Sequence, residues 1–241
     1  MPGRDLRVRR RRRRTTYGRR PRRRGRRKTL TRYRGLKDPV PPKMIVKHKY
    51  VCQGIVNLSA SNWTQNVILR ANDMFDPEYA TGGHQPFYFD QMAALYNHYT
   101  VVGSKLKIKF YQDRDDAQDC DPTYVALQLK DSEQSPLDAL NVREQPGCKY
   151  TTMARPQTPH TLTKGFSAKR FFGKSKGNVV GESELRGTPV SGPSENAFWI
   201  ITFTDVEAFA DGETDTIQNV HWEAEILYTA VWTERKSILT S

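Results

Sequence analysis

Cysteine is scarce in this chain: three in 241 residues, Cys52, Cys120 and Cys148, an odd number at wide spacing with no C-x-x-C pair. That count argues against a disulfide-stapled scaffold and offers no closely spaced thiol pair for zinc or redox chemistry. Long apolar runs are missing as well. No segment approaches the roughly 18 residues that a membrane-spanning helix needs, and the N-terminus lacks the apolar segment of a signal peptide. The expected location is therefore the cytosol and nucleus, with no membrane partner. On the same ground the sequons Asn57-Leu58-Ser59 and Asn62-Trp63-Thr64 are read as chance.

Catalytic signatures are equally sparse. G-x-G-x-x-G, H-E-x-x-H and G-x-S-x-G do not occur, and the nearest phosphate cradle, Gly173-Lys174-Ser175, has Ala168 where a P-loop needs its first glycine. His48, His84, His98, His160 and His221 are scattered, which gives metal binding little support. Asp113, Asp115, Asp116, Asp119 and Asp121 have the density of a calcium loop, but EF-hand spacing and its terminal glutamate are absent and Arg114 sits among them. A solvated turn is the expected reading. No catalytic residue, cofactor or metal site is expected, and an enzyme is set aside for want of a site.

Acid is nearly absent from the first 37 residues, which hold 19 Lys/Arg and only Asp5 in opposition, a net +18. The remaining 20 bases and 25 acids give −5, so the overall +13 conceals a basic arm on a mildly acidic body. Such a run of like charge buries too little apolar surface to offset backbone entropy, and the arm is expected to be disordered when unliganded. Its partner must be a polyanion. Arg4, Arg7, Arg9, Arg10, Arg11, Arg12, Arg13, Arg14, Arg19, Arg20, Arg22, Arg23, Arg24, Arg26, Arg27, Lys28, Arg32 and Arg34 supply cations for phosphate, while Tyr17 and Tyr33 can stack on bases. Basic clusters also address proteins to nuclear import receptors, and the two uses coexist. No zinc finger or basic zipper is present to read sequence.

Asp38-Pro39-Val40-Pro41-Pro42 predicts a stiff hinge over residues 38–42, followed by a folded domain over 43–241. Eight segments of that domain read as strands: 44–56, 64–69, 99–111, 123–130, 149–153, 160–168, 198–206 and 220–232. Lys105-Leu106-Lys107-Ile108-Lys109-Phe110 alternates cationic with apolar side chains, so one face is buried and one is wet. In the last segment Trp222, Ala224, Ile226 and Tyr228 oppose Glu223, Glu225 and Leu227, which suits a strand near a sheet centre. A short helix is predicted over 89–96 from the stripe Met92, Leu95 and Tyr96. Two long connections need a use. Residues 173–195, rich in Gly, Ser and Lys, are expected to form a disordered surface loop. Residues 71–97 are expected to be ordered, with Phe75, Tyr79, Phe87 and Tyr88 as candidate subunit-interface anchors.

With the basic start, the segment Met74-Phe75-Asp76-Pro77-Glu78-Tyr79 leading to Gly82-Gly83-His84-Gln85-Pro86 gives the chain a family likeness. A third feature is the run from Phe89-Asp90-Gln91-Met92 through Tyr96-Asn97-His98-Tyr99 into Val102-Gly103-Ser104-Lys105. On these three features the chain resembles the capsid proteins of circoviruses and related circular single-stranded DNA viruses. The resemblance implies an all-β, eight-stranded antiparallel jelly-roll β-sandwich and a T = 1 shell of sixty copies with the arms on a single-stranded DNA genome. It also implies nuclear import and attachment to cell-surface glycosaminoglycan or another host receptor, hence a location in the virion and host nucleus. The alternative is a non-viral nucleic-acid-binding protein with a basic tail, but its folded body should be basic too, and this body is −5.

Overall fold

Alternation of apolar and polar side chains resolves into eight strands: β1 (Lys43–Leu58), β2 (Thr64–Arg70), β3 (Tyr96–Gln112), β4 (Thr123–Lys130), β5 (Lys149–Met153), β6 (His160–Ser167), β7 (Phe198–Asp205) and β8 (Gln218–Arg235). The structure is a computed structural model that describes residues 40–59, 61–80, 83–112, 122–134, 138–154, 158–206 and 218–237. The chain divides into two units, Met1–Asp38 and Pro39–Ser241. The arm, with its expected disorder, and the acidic stretch 113–121 lie outside the described residues.

The strands form two four-stranded sheets in the orders β1-β8-β3-β6 and β2-β7-β4-β5, and every described pairing is antiparallel. Of the connections between successive strands only β4 to β5 stays within one sheet; the others cross between layers. This order is a double-sheet jelly roll, the fold expected from the sequence. β8 lies between β1 and β3, as its alternation requires, and β7 is buried along its whole length between β2 and β4. At the layer interface Phe110 of β3 meets Phe203 of β7 edge-on, with ring centroids 5.9 Å apart. Tyr228 of β8 reaches across to donate to the Arg70 carbonyl of β2 at 2.8 Å.

Among the described residues four short helices fill the connections: α1 (Phe89–Leu95), α2 (Ala139–Arg143), α3 (Ala168–Phe171) and α4 (Lys176–Gly181). In α1 the buried residues are Phe89, Met92 and Ala93, while Leu95 is exposed and Tyr96 already begins β3, so the expected stripe is shifted. The ring of Phe89 explains the shift, since it packs 5.5 Å from both Tyr99 and Trp232 and sets which side of the helix faces the core. Asp138 caps α2 by accepting from the Asn141 N–H at 2.7 Å. Ala139 and Val142 of α2 then close over Ala126 as a second small core on the outer face of β4.

Residues 173–195 do not form the disordered loop expected from their composition. They contain α4, bury Val179 and Leu185, and exchange two backbone hydrogen bonds of 2.9 Å between Gly187 and Tyr99. Gly187 and Gly192 serve close approach rather than flexibility. A Cβ on Gly187 would stand 2.3 Å from the Tyr99 ring, and one on Gly192 would stand 2.1 Å from the Asp73 carboxylate. Asp73 in turn accepts from the Tyr99 hydroxyl at 2.8 Å and from the Phe75 N–H at 2.9 Å. Asn72 donates to the Glu195 carbonyl at 2.7 Å and accepts from the Ala197 N–H at 2.8 Å. The two long connections therefore hold each other. Burial raises the Asp73 pKa, against the opposing pull of the Tyr99 hydroxyl and backbone donors.

Gly187→Ala forces its methyl into the Tyr99 ring and is expected to cost about 1–3 kcal/mol. Urea denaturation checks this: the midpoint should fall while the slope stays constant, and an unchanged midpoint would show that the contact is dispensable.

Candidate assembly and nucleic-acid surfaces

His48, on the inward face of β1, is buried, and both of its ring nitrogens are engaged. Nδ1 lies 3.1 Å from the Phe87 carbonyl, which can only accept, so Nδ1 carries the hydrogen. The Trp232 indole N–H donates to Nε2 at 3.0 Å, so Nε2 is bare and the ring is neutral. Burial lowers the His48 pKa below 6.5, with the Phe87 carbonyl pulling the other way. Trp232 sits at the centre of an aromatic group, 5.5 Å from Tyr99 and 5.8 Å from His48.

What His48 holds is an exposed corner. The Phe87 N–H donates to the Lys49 carbonyl at 3.2 Å, so β1 grips residue 87 at both its amide and its carbonyl. Phe87 and Tyr88 are 70% and 60% exposed and lean edge-on against each other at 4.3 Å. Tyr88 adopts φ 66°, a left-handed backbone that turns the chain into α1. Of the four aromatics singled out in the sequence, these two form one projecting pair. Tyr79, 43% exposed, lies elsewhere, edge-on to Phe198 at 6.0 Å with the Arg70 guanidinium 5.4 Å above its ring. Phe75 is half-buried and packs on the main core. Tyr50 donates to Glu78, and its ring lies tilted against His84 at 4.6 Å.

The outward face of the first sheet is basic. Lys43, Lys47 and Lys49 of β1 and Lys105, Lys107 and Lys109 of β3 are exposed on it, with Glu223 and Glu225 of β8 running between the two rows. The alternation on β3 was plain in the sequence, but its alignment with the β1 lysines depends on β8 pairing with both. At one end Tyr111 stacks flat on His221, ring centroids 5.3 Å apart and planes at 10°. The predicted nucleic-acid residues from Arg4 to Arg34 lie outside the described residues. Among the described residues no group of three or more His, Cys, Asp and Glu gathers to hold a metal, and no helix is long and apolar enough to cross a membrane. Cys52 and Cys148 are free; burial and the Glu78 carboxylate push the Cys52 thiol up to about 12, too high for a reactive thiolate.

Neither a family model nor a curated protein matches the sequence. Solved structures with a similar backbone include several from viruses. Desmodium yellow mottle tymovirus is 12% identical, with 88% of this chain and 93% of that chain covered and a TM-score of 0.40. The decameric BFDV capsid protein is 8% identical, with 80% and 99% covered and a TM-score of 0.41. Mud crab tombus-like virus is 11% identical, with 87% and 94% covered and a TM-score of 0.44. The fold assignment rests on the strand order, which stands without these likenesses.

The geometry at His48 gives a pH dependence with a definite sign. An unfolded histidine takes up its proton near pH 6.5, whereas the folded His48 resists until lower pH. In that window the unfolded chain binds more protons. The stability is thus present in full above 6.5 and declines as pH falls toward the folded pKa. Denaturant midpoints measured from pH 7 down to pH 5 should fall more steeply for the natural chain than for His48→Gln. Parallel profiles would remove His48 as the cause.

Proposed function

We propose that this chain is the coat protein of a small circovirus-like single-stranded DNA virus. Its jelly roll builds the shell, and its arm, Arg4 to Arg34, neutralises the packaged genome. The observation that carries this reading is the joining of a two-sheet jelly roll to an arm of net charge +18 on a body of −5. A module that lies along a phosphate backbone with its whole surface has no use for an acidic body. A shell subunit does, because only the genome-facing part needs positive charge. Jelly rolls also occur in lectins and cupins, so the fold alone leaves function open. The arm makes the difference.

Charge balance supports packaging. Sixty copies in a T = 1 shell would bring roughly 1,080 arm charges, against about one negative charge per nucleotide of a single strand. A circle of about one to two kilobases would then be on the order of half to fully neutralised, with polyamines and metal ions covering the rest. The same arm engages nuclear import receptors before assembly, and the outside of the shell meets cell-surface glycosaminoglycan or another host receptor. The exposed Phe87–Tyr88 corner, with Tyr79 and Phe75 on the same connection, supplies anchors between subunits, since closed shells need patches that fit dissimilar patches on a neighbour.

Two experiments test this. The full chain and a form beginning at Lys43 are compared by size-exclusion chromatography at two wavelengths and by negative-stain microscopy. Uniform small particles from the full chain, with bound nucleic acid lost on truncation, are expected. A monomer that binds nucleic acid without forming particles would point instead to a non-viral binder with a basic tail. In the second, Phe87→Ala with Tyr88→Ala should leave stability within about 0.5 kcal/mol, because both rings are solvent-exposed. The same pair should lower particle yield; unchanged assembly would remove the corner from the interface.

A further inference from the structure

The sheet β1-β8-β3-β6 carries more positive charge on its outward face than fold stability requires. Lys105, Lys107 and Lys109 stand about 6.8 Å apart along β3, and Lys49 of β1 is level with Lys105, two strands or about 9.6 Å away, with Lys47 continuing the line beyond it. Register aligns them in rows: Lys49 with Leu227 and Lys105, then Val51 with Glu225 and Lys107, then Gln53 with Glu223 and Lys109. With Lys43 the face holds six lysines against two glutamates, a net +4.

Edge protection accounts for lysines on β1, which lies at the margin of its sheet. It does not account for those on β3, which is paired on both sides by β8 and β6. Glu225 is engaged with Lys49 at 3.1 Å, and among the described residues no carboxylate forms an ion pair with Lys105, Lys107 or Lys109. Their three ammonium groups face solvent in a line. At the end of the rows Tyr111 is 42% exposed and stacks on His221 beside a hollow of about 320 Å³ lined by Gly54, Ile55 and Trp222. Cations in a line and an aromatic platform at their end are the two components of sequence-tolerant single-strand binding. The ring pair also favours nucleic acid over a sulphated polysaccharide, which has no base to stack.

Resting on the coat-protein reading, we infer that this outward face is a second contact for single-stranded nucleic acid. Lys47, Lys49, Lys105, Lys107 and Lys109 take the phosphates, and Tyr111 with His221 takes a base. The face then lines the genome side of the shell, and the arm is not the only part of the chain that touches the packaged strand.

The test uses the full chain and a fluorescent oligothymidylate, with binding followed by anisotropy over a range of salt. Lys105→Ala, Lys107→Ala and Lys109→Ala together should reduce the slope of log affinity against log salt by about 2, since each single-strand phosphate contact contributes roughly 0.7. The three corresponding Lys→Arg changes should restore it. Removing Lys130 and Lys149, which lie on β4 and β5 of the other sheet, should leave the slope unchanged. Tyr111→Ala should weaken binding by roughly tenfold at constant slope. An unchanged slope in the triple alanine variant, or an equal loss in the off-face control, overturns the inference. So does a loss of heparin retention without any change in slope, which would assign the face to polysaccharide. A full chain that binds no oligonucleotide at all is a different failure, and it defeats the coat-protein reading itself.

Discussion

The period of two along β8 is the constraint on which the rest of the molecule depends. Trp222, Ala224, Ile226, Tyr228 and Trp232 point into the core, and Glu223, Glu225 and Leu227 point out. β8 is paired along its length with β1 on one side and β3 on the other, so its register sets theirs. A slip of one residue would carry two carboxylates into the layer interface and two tryptophans out of it. Burying an unpaired carboxylate costs several kcal/mol, so the competing register is strongly disfavoured. The same register brings Trp232 under His48 and places Lys49 level with Lys105 across the outer face.

From that register follows a division of labour between the two ends of the first sheet. Near the C-terminal end of β8, Trp232 meets His48, Phe89, Tyr96 and Tyr99, and the connections 71–97 and 173–195 fold against this group. Near its N-terminal end Gln218 closes a buried polar triangle, accepting from Gln112 at 2.9 Å and from Thr123 at 3.0 Å. A buried triangle of this kind fixes how β3, β4 and β8 meet, because another arrangement would break its hydrogen bonds. One end is held by apolar packing and one by hydrogen bonds. Between them lies the plain pleated face whose outward side chains are free to carry charge.

How much of this could be read from the sequence depends on whether the signal is local. All eight strands were legible, since alternation and β-branched content are properties of adjacent residues, and the observed ends differ by only a few positions. Residues 173–195 were misread because Gly187 and Gly192 look like flexibility until Tyr99 and Asp73 are known to lie against them. That information sits some ninety residues away or more in the chain. His48 was passed over for the same reason: nothing near it in sequence announces Trp232, 184 positions later. The Phe87 and Tyr88 pair was found by aromatic density, but density did not separate the exposed Phe87 from Phe75, which packs on the core. The arm is the reverse case. Its charge of +18 is a property of composition alone and depends on no fold.

The arm also sets a condition on assembly. Each copy brings +18, and in the proposed shell sixty such arms share one interior, where separations fall toward the screening length of about 8 Å. Their mutual repulsion opposes closure, whereas the contacts that favour it are modest patches such as the Phe87–Tyr88 corner. A polyanion removes the repulsion and, by threading several arms and faces at once, holds subunits at high effective concentration. In the proposed shell, closure and loading are then one event. An arm of lower charge would let empty shells close, and a basic body would let the genome bind on the wrong surface. In the proposed shell the strand is drawn inward by the +18 of each arm together with the lysines of one sheet face.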